Sequence, residues 1–522
     1  MRAARAKYPG SYGGAYLKMP FHWQVSYFSR NGKKEIGQVI IDDASGRVLE
    51  QWTGFQVAWT MARGYSGAFG RHVNALYVWL PLCVLFLLPF VNLRRPLSLL
   101  HLDLLVLLSF SISLAFFNHG RIYASVPLSY PPLLYLLARM LALTRRGAGR
   151  KAGPLRLLVP APWLAVGVVL LLGVRIALNV TDSNVIDVGY AGVIGAQRIV
   201  AGEHLYGSFP SDNEHGDTYG PVNYEAYVPF EQIFGWSGRW DDLPAAHAAA
   251  ITFDLLAVAL LFLLGRRVRG PTLGIVLAYS WVSYPFTTFA LESNSNDALV
   301  AVLVLAALLA ATYRSKLGPP ARGVFAALAG LTKFAPLALA PVLATYDLRA
   351  EPSPGGMEGS FAGDAREQAR ARIGGFARFL LAFVLTAALV SIPALSHDSL
   401  HTIYERTLAY QADRGSPFSV WGLYGGLGGL QEAVQVAAIA LALALALAPR
   451  RQDLIGLSAA CAAVTIATQL GIDHWFYLYI PWFFPLVMLV LLGRFTYPRQ
   501  RGAAVASESA QWSQPAMAAS TG

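Results

Sequence analysis

Only 14% of the 522 residues are charged, against 55% hydrophobic, so each ionisable group set in an apolar stretch is costly and needs a reason. Lys333 is the clearest case: in AGLTKFAPLALAP its ammonium stands inside an apolar run, where it must snorkel, pair or serve a function. Pairing with Asp254 or Glu292 is the plain reading; a cation aimed at an anionic substrate is the functional one. Arg414 in DRGSPFS and His474 in GIDHWFY invite the same question. Both lie near the ends of apolar runs, where polar residues and interfacial aromatics such as Trp475 and Tyr477 are ordinary. Asp254 and Asp103, inside such runs, read as inward-facing structural partners.

Carboxylates concentrate in 180–243, with ten Asp or Glu against Arg198 and Arg239 alone. For any one of them a solvated face is the ordinary explanation. Asp187 stands apart, because it begins DVGYAGVIGAQRIVAGEHLYG, a mildly amphipathic helix of about 15 residues expected to lie along a membrane surface. An Asp at that place caps free amides and suits the helix dipole, or serves as a base; the residues alone leave both open. Asp182, five residues earlier, is the rival. Asn294, Asn296 and Asp297 at the head of a later apolar run either cap that helix or hydrogen-bond a polar ligand.

The elements that must position these groups are membrane helices. Apolar runs near 73–93, 98–117, 124–143, 155–179, 244–264, 271–290, 297–313, 376–394, 424–448, 453–471 and 474–493 are each long enough to cross a bilayer, or nearly so, and 322–346 is a shorter, interrupted one. The expected fold is an all-α polytopic membrane protein of about 12 spans, with a small N-terminal β meander. The net charge of +11 does not read as a nucleic-acid surface, since Arg and Lys cluster at the ends of apolar runs and mark cytoplasmic loops. Arg314, Lys316 and Arg322 on one side of 322–346, and Arg349, Arg366 and Arg370 on the other, cannot both be inside if that run crosses once. A break near Lys333 to Pro336, with the chain returning as a second half-helix, removes the conflict. The two cysteines, Cys83 and Cys461, fall inside apolar runs and predict neither a disulfide nor a metal site.

Residues 21–54 differ from the rest. FHWQVSYFS, EIGQVIID and GRVLEQW alternate in the period of strands and are broken by NGKK and DASG, so a three-stranded antiparallel meander is expected. The stretch VIIDDASGRVLEQWTG resembles a PepSY-type repeat, which implies an extracytoplasmic, regulatory module rather than a catalytic one. No apolar run precedes residue 73 and the N-terminal tail is basic, which resists translocation, so an outside module is at odds with this start; an upstream span is one reason that would reconcile them. The expected division is a module at 1–72, three accessory helices at 73–150, a core at 151–496 and a disordered cytoplasmic tail at 497–522.

Asp187, Tyr190, Gly202 and Tyr206 form a D-x-x-Y…G-x-x-x-Y frame, followed by TYGPVNYEAYVPFE with Tyr219. SNSNDALVAVL, AGLTKFAPLALAP, RGSPFSVWG and DHWFYLYIPWFFPL come after it in order. Together they resemble GT-C glycosyltransferases over roughly 155–493, nearest to the polyprenyl-phosphate-mannose-dependent mannosyltransferases of glycosyltransferase family 87. The resemblance implies transfer of a sugar from a polyprenyl-phosphate donor to a glycolipid or glycan acceptor on the outer side of the cytoplasmic membrane. It implies Asp187 as base, with Asp182 as alternative, and Lys333, Arg414, His474, Tyr190, Tyr219 and Asn296 as substrate-binding. No cofactor and no metal are implied. The same broken helix with a buried lysine also suits a transporter or lipid flippase, and the N-terminal segment suits a non-catalytic membrane regulator.

Overall fold

The computed structural model describes residues 12–19, 21–29, 35–64, 70–145, 152–240, 242–313, 315–349, 363–448, 451 and 453–497. The expected disordered tail therefore lies, but for Tyr497, outside the described residues.

The N-terminal meander has four strands rather than three: β1 (Tyr12–Met19), β2 (His22–Phe28), β3 (Glu35–Asp42) and β4 (Val48–Thr53), each antiparallel to the next in chain order. β1 escapes sequence reading because YGGAYLKM begins without apolar alternation. The β3–β4 turn is set by Asp42, whose carboxylate accepts from the Ser45 amide at 2.8 Å, and by Gly46 in the left-handed region at φ +66°. Val25 and Val39 sit opposite each other in the β2–β3 ladder, and Gln24 to Tyr27 are buried in succession, so both faces of β2 are covered. Two short helices follow, Phe55–Ala58 and Thr60–Arg63. They bind the sheet to the helical part: Arg63 Nη2 donates to Gln38 Oε1 at 2.7 Å, and Gln56 Nε2 donates to Gly120 O at 3.1 Å.

Among the described residues six helices are long and apolar enough to cross a membrane: Leu99–Asn118, Ile122–Leu143, Pro244–Arg269, Ala161–Asp182, Ala369–Leu395 and Gly428–Leu447. Six shorter apolar helices among the same residues accompany them. The outward surface fits hydrocarbon: Val169, Leu170, Val174 and Val180 on one helix, and Leu381, Val384, Leu385 and Leu389 on another, are each more than half exposed. Polar groups turn inward instead. Asp103 is bound by Arg139 Nε at 2.9 Å and Tyr135 Oη at 2.7 Å, and Asp254 by Arg175 at 2.5 Å, so both are structural partners as expected. The chain is a multi-pass membrane protein.

Proline sets several boundaries. The run expected as one helix at 271–290 is Pro271–Ser283 and Pro285–Glu292, interrupted at Tyr284, whose extended backbone (ψ 125°) is what a residue before proline prefers. The interrupted run does return on itself. Helix Gly318–Thr332 stops at Lys333, a turn over Ala335–Leu339 follows, and Ala340–Ala344 leads back. Its ends meet: Arg322 Nε donates to Leu343 O at 2.9 Å, and Arg322 also pairs with Asp347. Lys333 is thereby carried to the apex of the hairpin, away from both ends.

Candidate functional site

Helix Asp187–Ala201 holds the acidic candidate, and it does not lie open on a surface as expected. Val188 to Ala196 are all buried. The glycines explain it: a Cβ on Gly189 would stand 2.2 Å from Asn294 O, and one on Gly195 would stand 2.1 Å from the Tyr224 ring. The helix is thus locked against 293–295 on one side and 220–227 on another. Asn294, itself left-handed at φ +48°, is held by Asn179 Nδ2 at 2.9 Å and donates to Asn184 O at 3.0 Å. Ile186 N donates to Ser293 O at 3.2 Å, so the residue preceding Asp187 is pinned as well. Ile186 is the N-cap, and no side-chain cap bond is made there. Asp187 occupies the first helical position and is not the cap.

Asp187 lines a cavity of about 320 Å³ together with Tyr219, Asp297, Lys333, Arg414 and His474. Its side chain is accessible from the cavity although protein surrounds it on every side. That enclosure raises its carboxyl above the ordinary carboxylate range, while Arg414, the Val188 amide and Lys333 pull it back down. His474 is pushed well below the usual imidazole range, first by burial and then by Arg414 and Lys333, which favours its neutral form. Its Nδ1 lies 2.9 Å from Ser416 Oγ.

Lys333 is paired, but with neither Asp254 nor Glu292. Its Nζ lies 2.6 Å from Asp297 Oδ1, which also accepts from Trp482 Nε1 at 2.9 Å. The ammonium sits between three rings, 5.4 Å from Tyr219, 5.4 Å from Tyr479 and 5.3 Å from Trp482. Asp297 Oδ2 is buried without a partner. Arg414 is the freer cation: its guanidinium lies 5.4 Å from the Trp59 ring, its Nε is buried without an acceptor, and it makes no ion pair among the described residues.

Two cross-ties hold these segments in register. Arg406 grips Asp217 in a bidentate pair at 2.7 and 2.9 Å, and Asp398 accepts from Leu205 N at 2.9 Å and Tyr206 N at 3.1 Å. Asp217 is fully buried, so at least this acidic residue of 180–243 is not part of a solvated face.

Three candidates fall outside the cavity. Tyr190 is buried behind it, its ring tilted by 33° against the cavity residue Trp240 at 4.5 Å and its hydroxyl donating to Asp212 at 3.1 Å. Asn296 faces Asn223 and makes no cap bond. Asp182, at the end of its helix, pairs with His72. Sequence reasoning missed Asp297 as a cavity carboxylate, having weighed it as a cap or a polar contact. It also missed Thr60 and Met61, which bring the N-terminal module to the cavity wall, and Trp59, whose ring is 5.8 Å from His474. Among the described residues no group of three or more His, Cys, Asp or Glu side chains is placed to hold a metal.

The fold and site define a multi-pass membrane protein with a mixed-charge cavity lined by Asp187, Asp297, Lys333, Arg414 and His474. No family model and no curated protein matches the sequence. Among solved structures the chain is similar to the crystal structure of ArnT from Cupriavidus metallidurans bound to undecaprenyl phosphate, at 16% identity and a TM-score of 0.39. The likeness covers 64% of this chain and 60% of that one.

Proposed function

We propose that the chain is a GT-C-type membrane glycosyltransferase that moves a sugar, mannose by the family 87 resemblance, from a polyprenyl phosphate to an extracytoplasmic acceptor hydroxyl. The observation that carries this is the meeting of an accessible carboxylate, an arginine without a carboxylate partner, a caged lysine and a neutral imidazole in one cavity beside a broken membrane helix. Those are the groups that a charged lipid phosphate and a hydroxyl nucleophile need.

In this reading the acceptor oxygen attacks the anomeric carbon and its proton passes to Asp187. The bond from that carbon to the phosphate oxygen breaks, and the electron pair leaves with the polyprenyl phosphate. Arg414 and the ammonium of Lys333 offset the charge gained there, and His474 donates a hydrogen bond as a neutral group. The Phe55–Arg63 segment, which follows the β strands, contributes Thr60 and Met61 to the cavity wall. The plasma membrane is the proposed location, with the cavity on its outer face.

The test is transfer by the purified protein from radiolabelled polyprenyl-phosphate mannose to a glycolipid or glycan fraction. Label appearing in the acceptor in the parent protein and lost on Asp187→Asn is the expected result. Label that crosses a vesicle membrane unchanged, with no transfer, would instead make the chain a carrier.

A further inference from the structure

Helix Leu99–Asn118 connects the cavity described above to a second one. Near its C-terminal end Phe117 packs on Phe476, a residue of the first cavity, at 5.3 Å. Its N-terminus, capped by Ser98, opens into a cavity of about 580 Å³ roughly 30 Å away. This second cavity is lined by Arg94, Arg95, Arg156 and Arg494, and no Asp or Glu lines it.

We infer that this cavity binds a phosphate-bearing headgroup, that of an anionic membrane phospholipid. Four arginines at a membrane face are by themselves only the usual topological marker. Here they come from three separate segments, drawn together by backbone bonds: Ala152–Pro154 pairs with Phe495–Thr496, Leu155 N donates to Thr496 O at 3.1 Å, and Leu158 N donates to Pro89 O at 2.9 Å. His101 stiffens the floor, with Nδ1 2.7 Å from Pro96 O and Nε2 2.9 Å from Phe90 O. None of the four arginines has an ion-pair partner among the described residues, and Arg494 Nε is buried without an acceptor. Asp103, which lies near Arg494, is already held by Arg139 and Tyr135.

A preformed concavity with four unneutralised guanidinium groups at a 20-residue helix N-terminus fits a phosphate oxyanion. The surroundings favour a lipid over a free anion. Leu93, Leu97 and Leu99 beside the cavity are 83%, 100% and 56% exposed, and the Arg and Lys distribution assigns this end to the cytoplasmic face. Acyl chains would cover those leucines while the headgroup fills the arginine cavity.

The test is thermal unfolding of the full chain in neutral detergent, titrated with dioctanoyl phosphatidylglycerol, dioctanoyl phosphatidylcholine or inorganic phosphate. Phosphatidylglycerol is expected to raise the melting temperature saturably, and less so as NaCl is increased. Arg94→Gln/Arg95→Gln/Arg156→Gln removes three exposed charges without disturbing the fold and is expected to weaken the response by about tenfold or more. Arg494→Gln alone is expected to weaken it too. An equal shift from phosphatidylcholine, or an undiminished shift in the triple variant, overturns the proposal. An equal shift from inorganic phosphate keeps the phosphate site and overturns the lipid as its source.

Discussion

Two buried ion pairs on the same bundle differ in what surrounds them. Arg175–Asp254 is sealed away from the cavity: the arginine also donates to Thr288 Oγ1 at 2.7 Å and Thr287 O at 3.1 Å, leaving only its Nε without an acceptor, and Trp281 Nε1 donates to the same carboxylate at 2.7 Å. Lys333–Asp297 lies on a cavity wall, with one carboxylate oxygen unpartnered and an ammonium that, beyond Asp297 Oδ1, is enclosed by rings. A pair walled in by protein on every side, even with Arg175 Nε left without an acceptor, holds helices together. One that leaves capacity unused at a cavity is available to a ligand, and this separates structural from functional charge where burial does not.

The largest expected effect falls on the sealed pair. Arg175→Met leaves Asp254 buried and uncompensated, and should destabilise the protein by about 3–5 kcal/mol. Thermal unfolding in detergent reads this directly. If the variant unfolds within a degree of the parent, the contrast between the two pairs fails.

Asp187→Asn comes next and tests the open side. It keeps the side-chain size, and Asp187 makes no cap bond, so folding should be unchanged while turnover falls by about 10²-fold or more, near 2.7 kcal/mol. Asp182→Asn, away from the cavity, should retain most activity. A base works only when deprotonated, so activity should fall as pH drops through the Asp187 pKa. Enclosure raises that value above the ordinary 3.8, so the acid limb should lie higher than a solvated carboxylate would give. His474, already neutral, should add no limb of its own. A profile flat down to pH 4 in the parent would remove Asp187 from the role.

Lys333→Met should be intermediate. Its loss should weaken donor binding by about tenfold, since one charge-assisted contact to phosphate is removed, yet cost less stability than Arg175→Met, because Lys333 gives up one hydrogen bond, to Asp297, where Arg175 gives up those to Asp254, Thr287 and Thr288 together. Donor titration alongside unfolding separates the two readouts. Unchanged donor affinity with lowered stability would make this pair structural too.

Much of this contrast was legible before the fold. The charge conflict around 322–346 and Pro336 predicted the hairpin that presents Lys333, and the order of motifs brought Asp187, Lys333, Arg414, His474 and Tyr219 to one list. What could not be read was partnership. Asp297 lies 36 residues from Lys333 and stands where a cap would, so local chemistry gave it an adequate explanation. Tyr190 and Asn296 have the right types for sugar contacts, but side-chain direction depends on which helices surround them. Nothing local marks Gly189 and Gly195 as the points where Asn294 and Tyr224 come close. The N-terminal module read as a separate domain, because nothing in its alternation reveals that the chain after it reaches the cavity.

That reach supports the smallest prediction. Trp59 lies between the module and the open cavity, 5.4 Å from Phe418, 5.8 Å from His474 and 5.4 Å from the Arg414 guanidinium. A cation over an indole face gains about 0.5–2 kcal/mol, so Trp59→Ala should release Arg414 from its position and lower donor affinity by a few-fold. Trp59→Phe keeps a flat ring with a weaker face and should lose less. The sealed pair provides the control, because its side chains contact neither the module nor Arg414, and unfolding of the Trp59 variants should stay near that of the parent. If Trp59→Ala binds donor as tightly as the parent, the module only neighbours the site. If donor binding falls while Trp59→Phe restores most of it, the indole positions Arg414, and the module belongs to the functional site.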